Sequence, residues 1–365
     1  MRKKKVLICT HAFPPDTGGI AAFARDLKYL FKEMGWNVSV HKRKNRSVKN
    51  KFGVLKNTIL NLIQYICTVK KEKPDVTLST RIQPYGIISV MLKPFFRTKV
   101  ILQVHGTEIE GRFKKGWRKT FYKFIYNNTD QVWANSKNTV ERLIRFGVKS
   151  DKIKLVYPFL TNDITDVALN EPTQNSSSKF RIFTAGALYP RKGIDLVLKA
   201  LGNLKDLEWE YLVAGKAQKG YKGYYENIAE ELNISANVKF LGQIDRIEVW
   251  QQMDKADLFV LTSRAMPNDI ESFGIVYIEA QYFGTPCIGT KTGGIPEAIG
   301  DGGYLIENEN TDQLEKHLKN LMTKKDLSKV SSIGKARVRN NFLSQSRSEE
   351  VIKYLKEINI DYSSK

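Results

Sequence analysis

The stretch Glu271-Ser272-Phe273-Gly274-Ile275-Val276-Tyr277-Ile278-Glu279-Ala280 places two carboxylates around the start of a short, almost wholly apolar helix. The run of apolar residues after Gly274 predicts this helix, and Glu279 lies inside it. An unpaired carboxylate in a dry setting costs several kcal/mol, so Glu279 requires a partner. Glu271 lies in the loop that precedes the helix.

Gly274 removes the side chain at the point where the first amides of the helix face outward. A helix start with unpaired amides and a positive dipole end binds anions. One ligand would satisfy these features: a phosphate at the helix start, hydroxyls held by Glu279 and further hydroxyls beside Glu271. A nucleotide sugar has these parts. The stretch alone leaves a second interpretation open, in which Glu279 pairs with a buried Arg or Lys and Glu271 is a solvated loop residue.

Strand and helix patterns alternate on both sides of a polar segment. The first series runs from Lys5 to Val156, and the second resumes at Phe180, continues to Ile306 and is followed by three helices. Residues 161–179 between them are poor in apolar side chains and indicate a linker. Strands that alternate with helices indicate parallel sheets covered on both faces. We therefore predict an α/β fold with two doubly wound domains, whose shared crevice beyond the strand ends is the expected site.

Length and composition agree with a chain that forms two hydrophobic cores. The 365 residues exceed one ordinary core, and 42% apolar residues are enough for two. The three cysteines lie far apart, and no His or Cys cluster and no Asp-any-Asp motif on a strand end occurs, so we expect neither disulfides nor a metal cofactor. The charged start, Met1 to Lys5, precedes an apolar run too short for a signal peptide. We expect a reduced, cytoplasmic protein.

Charge is concentrated in the first half of the chain. Residues 1–160 contain 33 Lys plus Arg and 10 Asp plus Glu, a net charge of +23, and the remainder carries a net charge of −2. Such a field attracts nucleic acid, an anionic membrane surface or a polyanionic substrate.

Taken together, the motifs resemble those of retaining glycosyltransferases of glycosyltransferase family 4, whose two Rossmann-like domains form the GT-B fold. The resemblance runs from the Gly18-Gly19 loop to Gly293-Gly294-Ile295-Pro296-Glu297, and the most specific part is the pair Glu271 and Glu279 with seven residues between them. It implies an acceptor-side domain over residues 1–165, a linker over 166–179 and a nucleotide-sugar-binding domain over 180–345. A helix over 346–365 is expected to pack back on the first domain.

The resemblance also assigns the donor-binding residues. Glu271 would hold hydroxyls of the donor sugar, and Glu279 would hold the ribose. Phe273, Gly274 and Ile275 would form the helix start at the donor. The glycines Gly18 and Gly19 would let the backbone approach the donor, and Ile244, in the turn Gly242-Gln243-Ile244, would lie at the base-binding edge.

The segment Ala185-Gly186-Ala187-Leu188-Tyr189-Pro190-Arg191-Lys192-Gly193 is similar to the diphosphate-binding turn of the family. Two adjacent cations can stabilise the charge that develops on the leaving diphosphate. Lys192 matches the lysine of the family. Relatives often have arginine where this chain has Ala187, so Arg191 or another cation must take that part. Gly293-Gly294 is interpreted either as a close approach to the donor or as a plain tight turn.

His105-Gly106-Thr107-Glu108 follows a predicted strand, Lys99 to Val104. A histidine at the carboxyl end of a strand can face a substrate, and the resemblance places His105 near the reacting sugar. It further implies transfer with retention and without a protein nucleophile. In that scheme the departing phosphate oxygen accepts the proton of the acceptor hydroxyl.

Two basic stretches, residues 42–51 and 112–123, are the densest in the chain. In the second, Phe113, Trp117, Phe121 and Phe124 follow helical spacing with Lys and Arg on other faces, which suits an anionic bilayer. The alternative is an ordinary helix with its aromatic residues in the core.

The sequence thus predicts a cytoplasmic enzyme, peripheral at the inner face of the plasma membrane, that moves a sugar from a UDP- or GDP-linked donor to a lipid-linked acceptor. The product would be a bacterial surface polysaccharide. A GT-B epimerase of sugar nucleotides is a second possibility, and it would be distinguished by converting the donor without a separate acceptor. A non-enzymatic nucleic-acid-binding protein is the third, although specific nucleic acid is not expected because no recognition helix or aromatic sheet motif is present.

Overall fold

The computed structural model describes residues 2–16, 18–42, 51–106, 109, 116–165, 179–267, 269–324 and 326–360, with the backbone alone at 51–56 and 324. The chain divides into two compact units, Met1–Thr161 with Ser344–Lys365, and Asn162–Leu343. Thr107, Glu108, most of the basic stretches at 43–50 and 111–115, and the predicted linker at 166–178 lie outside the described residues.

The first unit contains a parallel six-stranded sheet in the order β2-β1-β3-β4-β5-β6. Its strands are β1 (Lys5–Thr10), β2 (Asn37–Lys42), β3 (Val76–Ser79), β4 (Lys99–Val104), β5 (Gln131–Ala134) and β6 (Ile153–Leu155). Its helices are α1 (Gly19–Glu33), α2 (Lys51–Glu72), α3 (Ile87–Leu92), α4 (Gly116–Asn128), α5 (Lys137–Phe146) and the C-terminal α13 (Ser344–Glu357).

Helices cover both faces of this sheet, and its inner strands are therefore buried along almost their whole length. Side chains of α1 pack on one face together with Val351 and Leu355 of α13. Tyr65 and Val69 of α2 pack on the opposite face, where Ile125 of α4 continues the layer. The C-terminal helix is thus part of the core of the first unit.

The second unit repeats the plan with a sheet in the order β12-β11-β10-β7-β8-β9, all parallel. Its strands are β7 (Phe180–Ala185), β8 (Trp209–Ala214), β9 (Val238–Gly242), β10 (Leu258–Leu261), β11 (Cys287–Thr290) and β12 (Gly303–Ile306). Its helices are α6 (Ile194–Gly202), α7 (Tyr221–Glu231), α8 (Arg246–Lys255), α9 (Ile275–Phe283), α10 (Ile295–Ile299), α11 (Thr311–Lys324) and α12 (Ser328–Asn341).

The strand order of the second sheet reverses between β7 and β10, which are adjacent in space. At such a switch point the loops that leave the two strands diverge and open a cleft at the carboxyl edge of the sheet. The loop after β7 carries Arg191 and Lys192, and the loop after β10 carries Glu271. The topology therefore brings three of the predicted site residues to one edge.

The predicted fold class is confirmed. Strand β4 has the predicted bounds, the first series of strands begins at Lys5, and the second begins at Phe180 and ends at Ile306, as predicted. The last helix begins at Ser344, two residues before the start of the helix expected over residues 346–365. Its first turn is rich in serine and lacks the apolar period, and its start is set instead by the amide of Ser344, which donates to the carbonyl of Leu160 at 2.9 Å. Among the described helices, none is both long enough and apolar enough to cross a membrane.

Candidate functional site

Two cations converge on one carboxylate oxygen at the carboxyl edge of the second sheet. Nζ of Lys192 donates to Oε2 of Glu271 at 2.5 Å, and Nη1 of Arg191 donates to the same atom at 2.8 Å. The side chains of Lys192, Arg191 and Glu271 are only 13%, 10% and 16% exposed. The interpretation of Glu271 as a solvated loop residue is therefore wrong.

The two cations keep Glu271 ionised although it is buried. Burial by itself would raise the pKa of this carboxyl, but the charges and hydrogen bonds of Lys192 and Arg191 lower it to about 2. A nearby opposite charge favours the ionised form of a carboxyl in this way. The cluster therefore contains a permanent anion beside two cations at neutral pH.

Arg191 is held by more than Glu271. Its Nε donates to the hydroxyl of Tyr189 at 2.6 Å and lies 3.1 Å from Oδ2 of Asp269, while the guanidinium covers the ring of Tyr189. Ala187, where relatives often carry arginine, is exposed on the same turn. Arg191 thus supplies a second cation beside Lys192, from a position four residues further along the chain.

A one-turn 3₁₀ segment, Pro190–Lys192, presents both cations and ends at Gly193. Gly193 has φ of +66°, and a Cβ there would lie 2.1 Å from the carbonyl oxygen of Thr262. Only glycine fits this left-handed position against the backbone that leaves β10.

The start of α9 has the geometry expected from its sequence. Gly274 has φ of +89°, and a Cβ at this residue would lie 2.7 Å from the ring of Tyr277. Phe273 is buried with its ring centroid 5.8 Å from that of Phe342, and Ile275 is half-buried. The helix therefore begins abruptly at Ile275, four residues after Glu271.

Glu279 has a protein partner, which corrects the inference from burial cost. Its Oε1 accepts hydrogen bonds from Nη2 of Arg246 at 2.9 Å, Nε of Arg246 at 3.1 Å and Nε1 of Trp250 at 3.1 Å. The ion pair compensates the charge of this carboxylate, as the second interpretation of the stretch predicted for Glu279, so its burial by itself does not indicate a ligand. Contact of Glu279 with a ribose stays a prediction.

Gly293 and Gly294 pack against the loop that carries Glu271. The amide of Gly294 donates to the carbonyl of Glu271 at 3.0 Å, and a Cβ on Gly293 would lie 2.0 Å from the same oxygen. A Cβ on Gly294 would meet the carbonyl of Ser272 at 2.1 Å. These glycines are required by the backbone of the Glu271 loop, whether or not they approach a donor.

Ile244 lies half-buried in the loop between β9 and α8. Asp245 caps that helix by accepting from the amide of Glu248 at 2.8 Å, so Arg246 is the first helical residue. The pattern Asp-any-any-Glu is a helix-start signal, so the sequence could have predicted that Arg246 lies in the first turn of the helix after β9. It could not show that Arg246 reaches Glu279, which lies 33 positions later.

In the first unit, His105 directly follows β4 and its ring meets the edge of Phe23 from α1, with centroids 5.7 Å apart. Burial, together with the positive charges of Arg81 and His11, lowers the pKa of His105 to about 3. The imidazole is therefore neutral at physiological pH. Arg81 and His11 follow β3 and β1, and no motif in the sequence predicted them as site residues.

Gly18 and Gly19 open α1 at the same edge of the first sheet. Gly18 has φ of +109°, and among the described residues no heavy atom beyond the chain neighbours and the backbone of α1 lies within 4 Å of a Cβ built at either glycine. The two glycines are exposed, so their backbone is open to approach from outside the first unit's core.

The aromatic residues of α4 divide between the surface and the core. Trp117 and Phe124 are 73% and 52% exposed, whereas Phe121 packs against the core. Arg118, Lys119 and Lys123 are exposed on the same helix. Phe113 lies outside the described residues. The solvent-facing side of α4 thus combines two exposed aromatic rings with three exposed cations.

Two family models match the chain over most of its length. The model described as Glycosyltransferase Family 4 matches residues 17–162, and that described as Glycosyl transferases group 1 matches residues 168–337. The GDP-mannose-dependent monoacylated alpha-(1-6)-phosphatidylinositol monomannoside mannosyltransferase of Corynebacterium glutamicum is 25% identical over 87% of this chain and 89% of its own length.

Solved structures with the same fold include sucrose-phosphate synthase from Thermosynechococcus elongatus, which has a TM-score of 0.79 and 19% identity and covers 98% of this chain and 99% of its own. The Anabaena HepE protein in complex with UDP-glucose has a TM-score of 0.75 and 19% identity, over 96% and 99% of the two chains. At these identities the likeness shows the fold.

Proposed function

The chain belongs to the GT-B glycosyltransferases of family 4, and we propose that it transfers a sugar, with retention, from a UDP- or GDP-linked donor to a lipid-linked glycan. The product would enter a bacterial surface polysaccharide. Family membership favours a transferase over an epimerase or a nucleic-acid-binding protein. Beyond family membership, we propose the class of donor, the class of acceptor and the stereochemistry of transfer.

The observation that carries the proposal is the convergence of Lys192 and Arg191 on one oxygen of Glu271. Two cations that meet within hydrogen-bonding distance of a single atom can also meet at two oxygens of a diphosphate. Charge-assisted hydrogen bonds of this kind are shorter and stronger than neutral ones. They would stabilise the charge that the leaving diphosphate gains, which is the part a divalent metal ion plays elsewhere, so we propose a reaction without a metal cofactor.

Glu271 then has two roles in the proposed site. Its Oε2 orients the cations, and its carboxylate would accept hydrogen bonds from hydroxyls of the donor sugar. Because its pKa is about 2, it remains an acceptor at every physiological pH. The free amides at the start of α9 would bind a phosphate oxygen, and Phe273, Gly274 and Ile275 would shape that contact.

Glu279 and Ile244 complete the proposed nucleotide site. Glu279 would receive the ribose hydroxyls while Arg246 compensates its charge, and Ile244 would lie beside the base. The names of two similar proteins mention GDP-mannose and UDP-glucose, which supports a nucleoside diphosphate sugar as donor without deciding the base.

For the acceptor, we propose a glycan carried on a lipid in an anionic membrane. The support is the exposed pair Trp117 and Phe124 beside three cations of α4, within a half of the chain that carries a net charge of +23. Aromatic rings insert at the headgroup level and cations attract anionic lipids. The proposed location is therefore peripheral, at the inner face of the plasma membrane.

A thermal-shift panel of UDP- and GDP-linked sugars tests the proposal, because a ligand that binds the native state raises the transition temperature. We expect one nucleotide sugar to stabilise the protein more than the matching free sugar and the nucleoside monophosphate. The stabilising donor is then assayed with lipid extracts, and the anomeric configuration of the product is read by NMR. A panel without any stabilising nucleotide sugar, or a product with inverted configuration, would contradict the proposal.

A further inference from the structure

The turn that presents Arg191 and Lys192 is held by three hydrogen bonds from the segment that leaves β10. Nη1 of Arg264 donates to the carbonyl of Pro190 at 2.7 Å, and the amide of Arg264 donates to the carbonyl of Arg191 at 2.7 Å. The hydroxyl of Thr262 donates to the carbonyl of Gly193 at 2.7 Å. Three carbonyls of one short turn are thus fixed by two side chains and one amide.

The guanidinium that makes the first of these bonds is itself held rigidly. Nη1 and Nη2 of Arg264 donate to the two carboxylate oxygens of Asp195 at 2.7 and 2.6 Å, and Nε donates to Oε1 of Glu309 at 2.7 Å. The side chains of Arg264 and Asp195 are 14% and 9% exposed. A planar fork that bonds a carboxylate through two nitrogens has one orientation, which a lysine cannot reproduce.

Asp195 lies in the first turn of α6, two residues after Gly193. Arg264 therefore ties the beginning of α6, the carbonyl of Pro190 and the carbonyl of Arg191 into one unit. The Nζ of Lys192 and the Nη1 of Arg191 extend from that unit to Glu271. A shift of the turn would move both cations together.

We infer that Arg264 is a positioning residue, which acts through Asp195 and the Pro190–Gly193 turn to set the place of the two cations that bind the donor diphosphate. The inference rests on the proposed function of Lys192 and Arg191. Arg264 itself touches no reacting atom in this scheme. Displacement of a positioned group by about 1 Å can cost about a hundredfold in rate, so a small loosening of the turn should be measurable.

The test distinguishes a positioning role from a general effect on stability, because it compares the binding of nucleoside diphosphates with that of the matching monophosphates. Arg264→Lys, Asp195→Asn and Arg264→Ala are compared with the matched control Arg181→Ala, whose Nε lies 2.7 Å from Glu210 in a similarly buried pair at the opposite edge of the sheet. Calorimetry measures the dissociation constants of UDP, GDP and the matching monophosphates for each folded variant. Each variant's fold is checked by its circular dichroism and transition temperature.

We expect Arg264→Lys and Asp195→Asn to weaken binding of the preferred diphosphate by about tenfold and to change monophosphate binding by less than about twofold. Arg181→Ala should change neither. In a Lys192→Ala background, Arg264→Lys should weaken diphosphate binding by clearly less than it does in the wild-type background, because one of the two cations that it positions is gone.

Equal losses for diphosphate and monophosphate, an unchanged diphosphate affinity, or full additivity with Lys192→Ala would overturn the inference. If Arg264→Ala does not fold, the two milder variants decide. A wild-type protein that binds no nucleoside diphosphate would overturn the proposed function as well, whereas a wild type that binds while Lys192→Ala fails and Arg264→Lys is normal overturns only the inference about Arg264.

Discussion

The Nζ atom of Lys192 lies 2.5 Å from the Oε2 atom of Glu271, although 79 positions separate the two residues in the chain. They meet because the loops after β7 and β10 leave adjacent strands at the same edge of the sheet. The same oxygen accepts from Arg191, which makes a compact cluster of one anion and two cations.

Lys192→Ala should reduce the rate of transfer by about a hundredfold or more while the protein stays folded, because a cation that faces developing charge is lost. Glu271→Ala should have a similar effect. Initial rates with the donor found in the thermal-shift panel measure both. The control is Lys291→Ala, which removes the partner of Glu307 from a pair that is about half exposed. Rates within about twofold of wild type for Lys192→Ala would refute the site assignment.

Glu271→Gln should change how the free energy of unfolding depends on pH. The pKa of Glu271 is lowered from 4.5 to about 2 in the folded protein, so its ionised form stabilises the fold above pH 4.5 and this contribution is lost as pH falls towards 2. The shift corresponds to about 3 kcal/mol. Urea unfolding measures the free energy of unfolding of wild type and Glu271→Gln between pH 7 and pH 2. The difference between the two proteins should change by that amount over this range. Two parallel curves would contradict the lowered pKa.

Glu279→Gln should separate the ion pair from the proposed ribose contact. Loss of the carboxylate leaves Arg246 without this partner and should destabilise the protein by about 3 kcal/mol, as removal of one member of a buried pair does. The double variant Arg246→Met with Glu279→Gln should recover part of that stability. Neither variant should retain the preference of wild type for a ribonucleotide over its 2′-deoxy and 3′-deoxy forms. If both keep that preference, Glu279 serves only the ion pair.

His105→Asn should lower the rate of transfer by about tenfold, the value of one lost hydrogen bond to the sugar. Because the pKa of His105 is about 3, its imidazole stays neutral above pH 5, and the ratio of wild-type to variant rates should be constant from pH 5.5 to pH 8. His317→Asn, on α11, is the control and should transfer normally. A ratio that changes near pH 6.5 would show that His105 titrates there.

Trp117→Ser with Phe124→Ser should weaken binding to vesicles of phosphatidylglycerol by about thirtyfold or more, since each of the two rings that enter the headgroup layer contributes about 1–2 kcal/mol. Co-sedimentation measures this binding. Ile247→Ser is the matched control, an exposed apolar residue in the second unit. Binding to neutral phosphatidylcholine should be weak for every form. Equal sedimentation of wild type and the double variant would remove α4 from the proposed membrane surface.

Much of the fold could be predicted because parallel strands buried on both faces form compact apolar runs. Strand β4, Lys99–Val104, has the bounds that the sequence alone predicted, and the second series of strands begins at Phe180 and ends at Ile306 as predicted. The start of α13 could not be predicted in this way, because a backbone hydrogen bond from Ser344 to Leu160 sets it rather than an apolar period.

The sequence predicted the residues of the charged cluster, but it did not predict which residues form the ion pairs around it. Glu271, Lys192 and Arg191 were expected near one ligand, and the structure brings them together. The partner of Glu279 was missed because Arg246 reaches it from another helix, and no local pattern encodes such a contact. Arg264 and Asp195 were missed for the same reason, since their pairing depends on the adjacency of β7 and β10.

Titration of the preferred nucleotide sugar into wild type and Lys192→Ala, followed by calorimetry at one salt concentration, tests most directly whether the cluster binds the donor diphosphate. We predict one-site binding to wild type and a dissociation constant at least about tenfold higher for a folded Lys192→Ala protein. Equal dissociation constants for the two proteins would contradict a donor site at Lys192, Arg191 and Glu271.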